Sequence, residues 1–127
     1  TDNFPTRFGL NAACHRLRKP LVSGAAIRFE GQVSVYFPGQ DDSPCYRCLY
    51  DDGPGTQETC AQTGVVAPLL GIVGSVQAME TLKVLMQIGE PLKGRLLLLD
   101  GLRMEWHSMK FRRDPKCPVC GPGPATE

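Results

Sequence analysis

No glycine-rich phosphate loop occurs in this 127-residue chain: GPG at 53–55 and GIVG at 71–74 fit neither G-x-G-x-x-G nor the P-loop pattern. H-E-x-x-H and G-x-S-x-G are missing as well, which removes the commonest zinc-protease and serine-hydrolase readings. Charge of either sign is not in excess. With 14 basic and 13 acidic side chains the formal net charge is +1, so no field draws the chain to nucleic acid or to a membrane surface. There is no internal repeat, no secretory leader and no initiator Met. The chain opens on TDNFPTR and closes on a Pro/Gly tail at residues 122–127, expected to be mobile, and we read it as a fragment of something longer. At 42% hydrophobic and 21% charged it has the composition and length of one globular domain.

Cysteine is plentiful. Cys45 and Cys48 form one C-x-x-C knuckle, Cys117 and Cys120 a second. Each spacing lets two thiolates point at one cation, and four thiolates make a closed tetrahedral site whose role is structural. Paired disulfides or redox dithiols are the competing readings; the absent leader favours a reducing, cytoplasmic setting and therefore zinc. The interval from Cys48 to Cys117 is longer than in a compact zinc ribbon, so the metal would staple distant parts of the fold.

Along the chain, Asp2 to Lys19 reads as a helix capped by Asp2 or Asn3, with Leu10, Cys14 and Leu17 facing the core. Leu21 to Ala25 reads as a buried strand. Ile27 to Phe37 alternates apolar and polar as a half-wet strand, with a bulge or bend at Gly31. Leu49 to Gly64 lacks periodicity and is expected to be a long exposed loop. Val65 to Ile88 keeps helical spacing and is read as a core helix, its apolar run too short for a bilayer and interrupted by Gln77, Glu80 and Lys83. Gly71 and Gly74 would admit a close neighbour, and Gly89 and Pro91 would end the helix. Arg95 to Leu99 and Met104 to Phe111 form a hairpin around Asp100-Gly101. The sum is an α/β domain whose sheet finishes with antiparallel strands.

Several side chains carry two readings. Asp2 is either a helix cap or a carboxylate that holds Mg²⁺ against nucleotide phosphates. Cys60, in a polar loop just before a helix, is either a small buried hydrophobe or an activated thiol. His15 and His107 read as surface or half-buried groups and not as catalytic bases.

With these residues in view, the sequence resembles the C-terminal half of the MoeB/ThiF/HesA family, relatives of ubiquitin-activating enzymes. The resemblance runs through TDNFPTR, PLVSGAAIRFEGQVSVY, PCYRC, ETCAQTGVVAPLLGIVGSVQAMETLK and CPVCG, and looks nearest to the MoeB branch. It implies a Rossmann-like ubiquitin-activating-type domain over residues 1–121, with a mixed sheet whose N-terminal nucleotide-binding half is not in this chain. It implies ATP- and Mg²⁺-dependent adenylylation of the C-terminal glycine of a ubiquitin-like sulfur carrier of the MoaD or ThiS kind, serving molybdopterin or thiamine biosynthesis. Position by position, Asp2 matches the Mg-ATP aspartate, Cys60 a crossover-loop cysteine that some members use covalently, and Cys45, Cys48, Cys117 and Cys120 the zinc ligands. A homodimer is expected, with neither nucleic acid nor membrane as a partner. Without the other half, these residues are expected not to adenylate. The alternative is a non-catalytic zinc-stapled module that docks a ubiquitin-like partner.

Overall fold

The computed structural model describes residues 3–40, 43–50 and 64–121. Helix α1 runs Phe4–Leu17, shorter at each end than the sequence suggests. Asn3, extended, is the cap: its Oδ1 accepts the Thr6 N–H at 2.8 Å, and Pro5 occupies the first turn where no N–H is needed. Arg18 turns left-handed (φ 56°) and closes the helix as the Lys19 N–H reaches Cys14 O.

Strands β1 (Leu21–Ile27) and β2 (Glu30–Tyr36) form a hairpin with Ile27 opposite Glu30. The turn therefore falls at Arg28-Phe29, inside what the alternating pattern suggested was one strand. Arg28 has φ 53° and is pinned by tertiary bonds, donating to Gly64 O and accepting from the Val66 N–H. Gly31 is not a bulge. It sits in regular register between Ala26 and Leu99, and a Cβ there would fall 2.7 Å from Val73 Cγ2. The missing side chain lets a helix lie directly on the strand.

That helix is α3 (Ala67–Met86), preceded by a single-turn α2 (Tyr46–Leu49). Gln87 (φ 56°), and not Gly89, takes its left-handed cap. The chain then returns as β3 (Arg95–Asp100) and β4 (Glu105–Lys110). The sheet order is β1-β2-β3-β4, antiparallel at every neighbouring pair. Parallel pairing among the described residues is confined to isolated bridges at Arg28–Val65 and Val35–Lys93, so the expected mixed sheet is met here by its antiparallel part.

One face of the sheet carries Val33, Val35 and Leu99 against Leu69 and Val73 of α3, with Leu92 completing the core. The other face is covered too, contrary to the half-wet expectation. There Tyr36 packs edge-on against Tyr46 and Phe111, the Ser34 hydroxyl donates to Arg95 O at 2.7 Å, and the Tyr50 hydroxyl donates to Gln32. β1, expected buried, is half-buried throughout because it lies at the sheet's edge.

Helix α3 also departs from a plain core helix. Leu69, Val73 and Glu80 are buried, whereas Leu70, Met79, Leu82, Leu85 and Met86 are exposed. Glu80 is fixed: its carboxylate accepts the Leu92 N–H at 2.7 Å and pairs with Lys83 at 2.5 Å. Nothing stands within 4 Å of where a side chain would begin at Gly71 or Gly74. By length and composition alone the helix is long and apolar enough to cross a membrane, its most apolar 18-residue stretch having mean hydropathy 1.4, although Gln77, Glu80 and Lys83 interrupt the apolar run.

Candidate functional site

The two knuckles meet. Cys45, just before α2, and Cys48 within it face Cys117 and Cys120, which follow β4 on a pair of turns. All four sulfurs lie within 4.8 Å of one another, with Cys45 to Cys117 at 3.6 Å and Cys48 to Cys120 at 3.2 Å. A disulfide needs about 2.0 Å. Four sulfurs at about 2.3 Å from one tetrahedral zinc are about 3.8 Å apart. The observed spacing is close to the second arrangement and far from the first.

The surroundings are built for thiolates. Cys48 Sγ accepts N–H groups from Cys45 and Asp114, each at 3.4 Å; Cys117 Sγ accepts from Val119 and Cys120 at 3.4 and 3.5 Å. These donors turn inward because each knuckle is a turn closed on itself, by Cys48 N–H to Cys45 O and by Gly121 N–H to Cys117 O. Position 121 admits only glycine without a shift, since a Cβ would lie 2.5 Å from Cys117 O. Arg113 donates to Cys120 O and ties the approach from β4.

The electrostatics are those of crowded thiols sharing one negative charge. The Cys45 hydrogen bond, with the backbone donors, pulls the Cys48 thiol well below its usual range. The same contact and burial push Cys45 up, and burial together with Cys48 pushes Cys120 up to about 12. A divalent cation would meet one ready thiolate and displace protons from its neighbours.

Asn11 joins this centre, and sequence pattern gave no hint of it. It is the buried residue of α1, 2% exposed, while Leu10 and Leu17 face outward and Cys14 is only half-buried. Its Nδ2 donates to Cys45 Sγ at 3.4 Å and its Oδ1 accepts the Tyr46 N–H at 3.1 Å. A polar residue at i+4 from Arg7 on that helix is the signal available in hindsight. Aromatic contacts reinforce the joint, Phe8 edge-on to Tyr46 with the Arg47 guanidinium 4.3 Å above the Phe8 ring.

Of the other candidates, His15 lines a cavity of about 230 Å³ beside Cys45 and Cys120, and His107 lies exposed on β4, 3.9 Å from Glu105. The two are on separate elements and do not form a pair. Asp2 and Cys60 lie outside the described residues, as do most of the long loop and the tail.

An α/β unit with an antiparallel sheet, one long helix across it and a four-cysteine clasp at the end of its chain is the class these elements define. The chain belongs to the ThiF family, whose sequence profile matches residues 1–119. It is 48% identical over 121 residues to a molybdopterin-synthase adenylyltransferase of Escherichia coli, covering 95% of this chain and 48% of that protein. To the SAMP-activating enzyme E1 of Haloferax volcanii it is 48% identical over 125 residues, 97% of this chain and 45% of the other. To a sulfur carrier protein adenylyltransferase of Thermus thermophilus it is 47% identical over 129 residues, 98% of this chain and 48% of the other. The chain thus spans about half the length of these relatives. Among solved structures, E. coli MccB aligns with TM-score 0.73 at 21% identity, over 93% of this chain and 36% of that one, a likeness of fold.

Proposed function

We propose that the chain is the C-terminal part of an ATP-dependent adenylyltransferase that activates the C-terminal glycine of a ubiquitin-like sulfur carrier in the cytoplasm. The observation that carries this reading is the 47–48% identity, along 95–98% of the chain, to proteins named a molybdopterin-synthase adenylyltransferase, a SAMP-activating enzyme E1 and a sulfur carrier protein adenylyltransferase. The chemistry is direct. A carboxylate is a poor electrophile; its attack on the α-phosphorus of ATP expels pyrophosphate and leaves an acyl-adenylate whose carbonyl a sulfur nucleophile can enter.

In this reading Asp2 presents its carboxylate to the Mg²⁺ that accompanies ATP, and Cys60 is the candidate for covalent attachment of sulfur or carrier. Cys45, Cys48, Cys117 and Cys120 hold zinc with no open coordination position, so the metal supplies structure and not Lewis acidity. The nucleotide-gripping glycines and cations come from the half that the relatives carry beyond the match. The working protein is a homodimer.

The test is carrier-dependent ATP–pyrophosphate exchange. We expect none from these 127 residues alone. In a chain of the relatives' length carrying this segment we expect exchange that Asp2→Asn lowers at least a hundredfold. Cys60→Ser should leave exchange intact and abolish sulfur transfer; unchanged transfer would remove Cys60 from the mechanism. Exchange by the 127-residue chain itself would sink the division of labour proposed here.

A further inference from the structure

The four sulfurs of the clasp are not served alike. Cys48 Sγ and Cys117 Sγ each accept two N–H groups, and Cys45 Sγ accepts one from Asn11. Cys120 Sγ accepts none among the described residues; its near neighbour is the Cys48 sulfur at 3.2 Å. Yet Cys120 is only 4% exposed. A thiolate buried without a donor is costly, because nothing replaces the water it gives up.

Two nitrogens beside it have the opposite lack. Among the described residues, Arg113 Nε and His15 Nδ1 are the buried side-chain nitrogens without a hydrogen-bond partner. Both residues line the cavity of about 230 Å³ that Cys45 and Cys120 also wall, and no carboxylate is among its described residues. They reach it from two sides. Asn11 and His15 are i and i+4 on α1, so the helix that gives Cys45 its donor carries the imidazole one turn further along the same face. Arg113 enters from the β4 side, with Nη2 donating to Cys120 O. Nε and Nη2 share one edge of the guanidinium with nearly parallel N–H bonds, so that anchor turns Nε toward the same residue.

We propose that Arg113 and His15 support the metal in the clasp from outside it: Arg113 Nε–H supplies the donor that Cys120 lacks, and His15, with its proton on Nδ1, adds a second from the same cavity wall. Both are positioning residues, acting on zinc through sulfur. The need is greatest in the loaded clasp. Four thiolates around one divalent cation leave a net negative charge in a buried centre, and a guanidinium beside the sulfur without other donors offsets part of it.

This inference rests on the zinc reading of the clasp, and the experiment separates the two. Zinc affinity is measured by competition with a chromophoric chelator, and the cobalt(II)-substituted protein supplies the sulfur-to-metal charge-transfer band. We expect Arg113→Gln to weaken zinc binding at least tenfold, within the roughly 10–100-fold that losing such a partner costs. The band should move to lower energy, since a thiolate without a donor gives up its electrons more readily. Arg113→Lys keeps a cation but not the fixed Nε–H and should fall between parent and glutamine on both readings; it carries the test if the glutamine variant does not fold. His15→Leu should weaken binding less than Arg113→Gln. Arg112→Gln, at an exposed position next along the chain, controls for charge alone and should change neither reading. A parent that binds neither zinc nor cobalt sinks the zinc reading and this inference with it. A parent that binds zinc, with both Arg113 variants matching it in affinity and band, overturns this inference alone. So does an equal loss from Arg112→Gln, which would assign the effect to charge in general.

Discussion

The cysteine clasp and helix α3 are opposite solutions to burial in one small fold. In the clasp every cysteine sulfur has a partner: each lies by another sulfur or accepts an N–H, Asn11 fills its wall, and Arg113 and Gly121 close its turns. It holds together two segments 72 residues apart with what this chain contains. Helix α3 buries Leu69, Val73 and Glu80, rests Ile72, Val76 and Val84 half-buried on the core, and leaves Leu70, Met79, Leu82, Leu85 and Met86 exposed. The clasp is closed by residues of this chain; the outer side of the helix is not.

The largest expected effect breaks the clasp. We expect native mass spectrometry to find one zinc per chain. Chelation, or Cys117→Ser, should remove it and lower thermal stability by several kcal/mol, because metal binding free energy here is folding free energy. A chain that carries no metal and melts at the same temperature after chelation would leave the four sulfurs without the role assigned to them. The pH dependence sharpens this. Cys45 and Cys120 hold their protons above neutrality, so a cation must displace at least these two, and affinity should rise with pH by at least about a hundredfold per unit. Below neutrality the same two protons compete for the sulfurs and zinc is released. Cys48, with its depressed pKa, adds a further proton only as the pH falls toward about 4, steepening the loss.

Next come two leucines of α3 that should behave differently in the isolated chain. Leu69, 2% exposed against Val33 and Gly31, should cost about 2–5 kcal/mol as alanine, since the cavity has no solvent side into which to collapse. Leu82→Ala should stay within about 0.5 kcal/mol. Urea denaturation of both variants checks the pair. Equal losses would mean that α3 is already covered on its outer side in solution.

How far these contrasts could be read from sequence depends on what each feature needs. The knuckles are legible because C-x-x-C spacing is local chemistry, and the inner side of α3 in part, because Leu69, Ile72 and Val76 repeat at helical period; Met79, Leu82 and Met86 keep the same period and lie exposed. The hairpin turn at Arg28-Phe29 carries no turn residue; bonds to Gly64 and Val66, 36 and 38 positions on, hold it. Gly31 looked like a bend because a missing side chain reads alike whether the strand kinks or a helix rests on it. The open sides of α3 were invisible for a related reason. Apolar periodicity says that a surface wants covering and not whether this chain supplies the cover.

Asn11 tests how independent the clasp is. Apolar pattern assigned the inner face of α1 to Leu10, Cys14 and Leu17, on the assumption that the helix packs on a hydrophobic core. It packs instead on the clasp, where the buried surface is a sulfur and a backbone amide, and a carboxamide suits both at once. Asn11→Ala removes the donor to Cys45 and strands the Tyr46 N–H, a loss of about 1–3 kcal/mol. Asn11→Asp keeps an acceptor for Tyr46 but sets a carboxylate against a thiolate, so it should weaken zinc binding more than alanine does. Stability measured with zinc saturating, beside competitive zinc titration, separates the two contributions. If both variants bind zinc as the parent does, Asn11 serves only to dock α1 and the four cysteines need nothing from the helix.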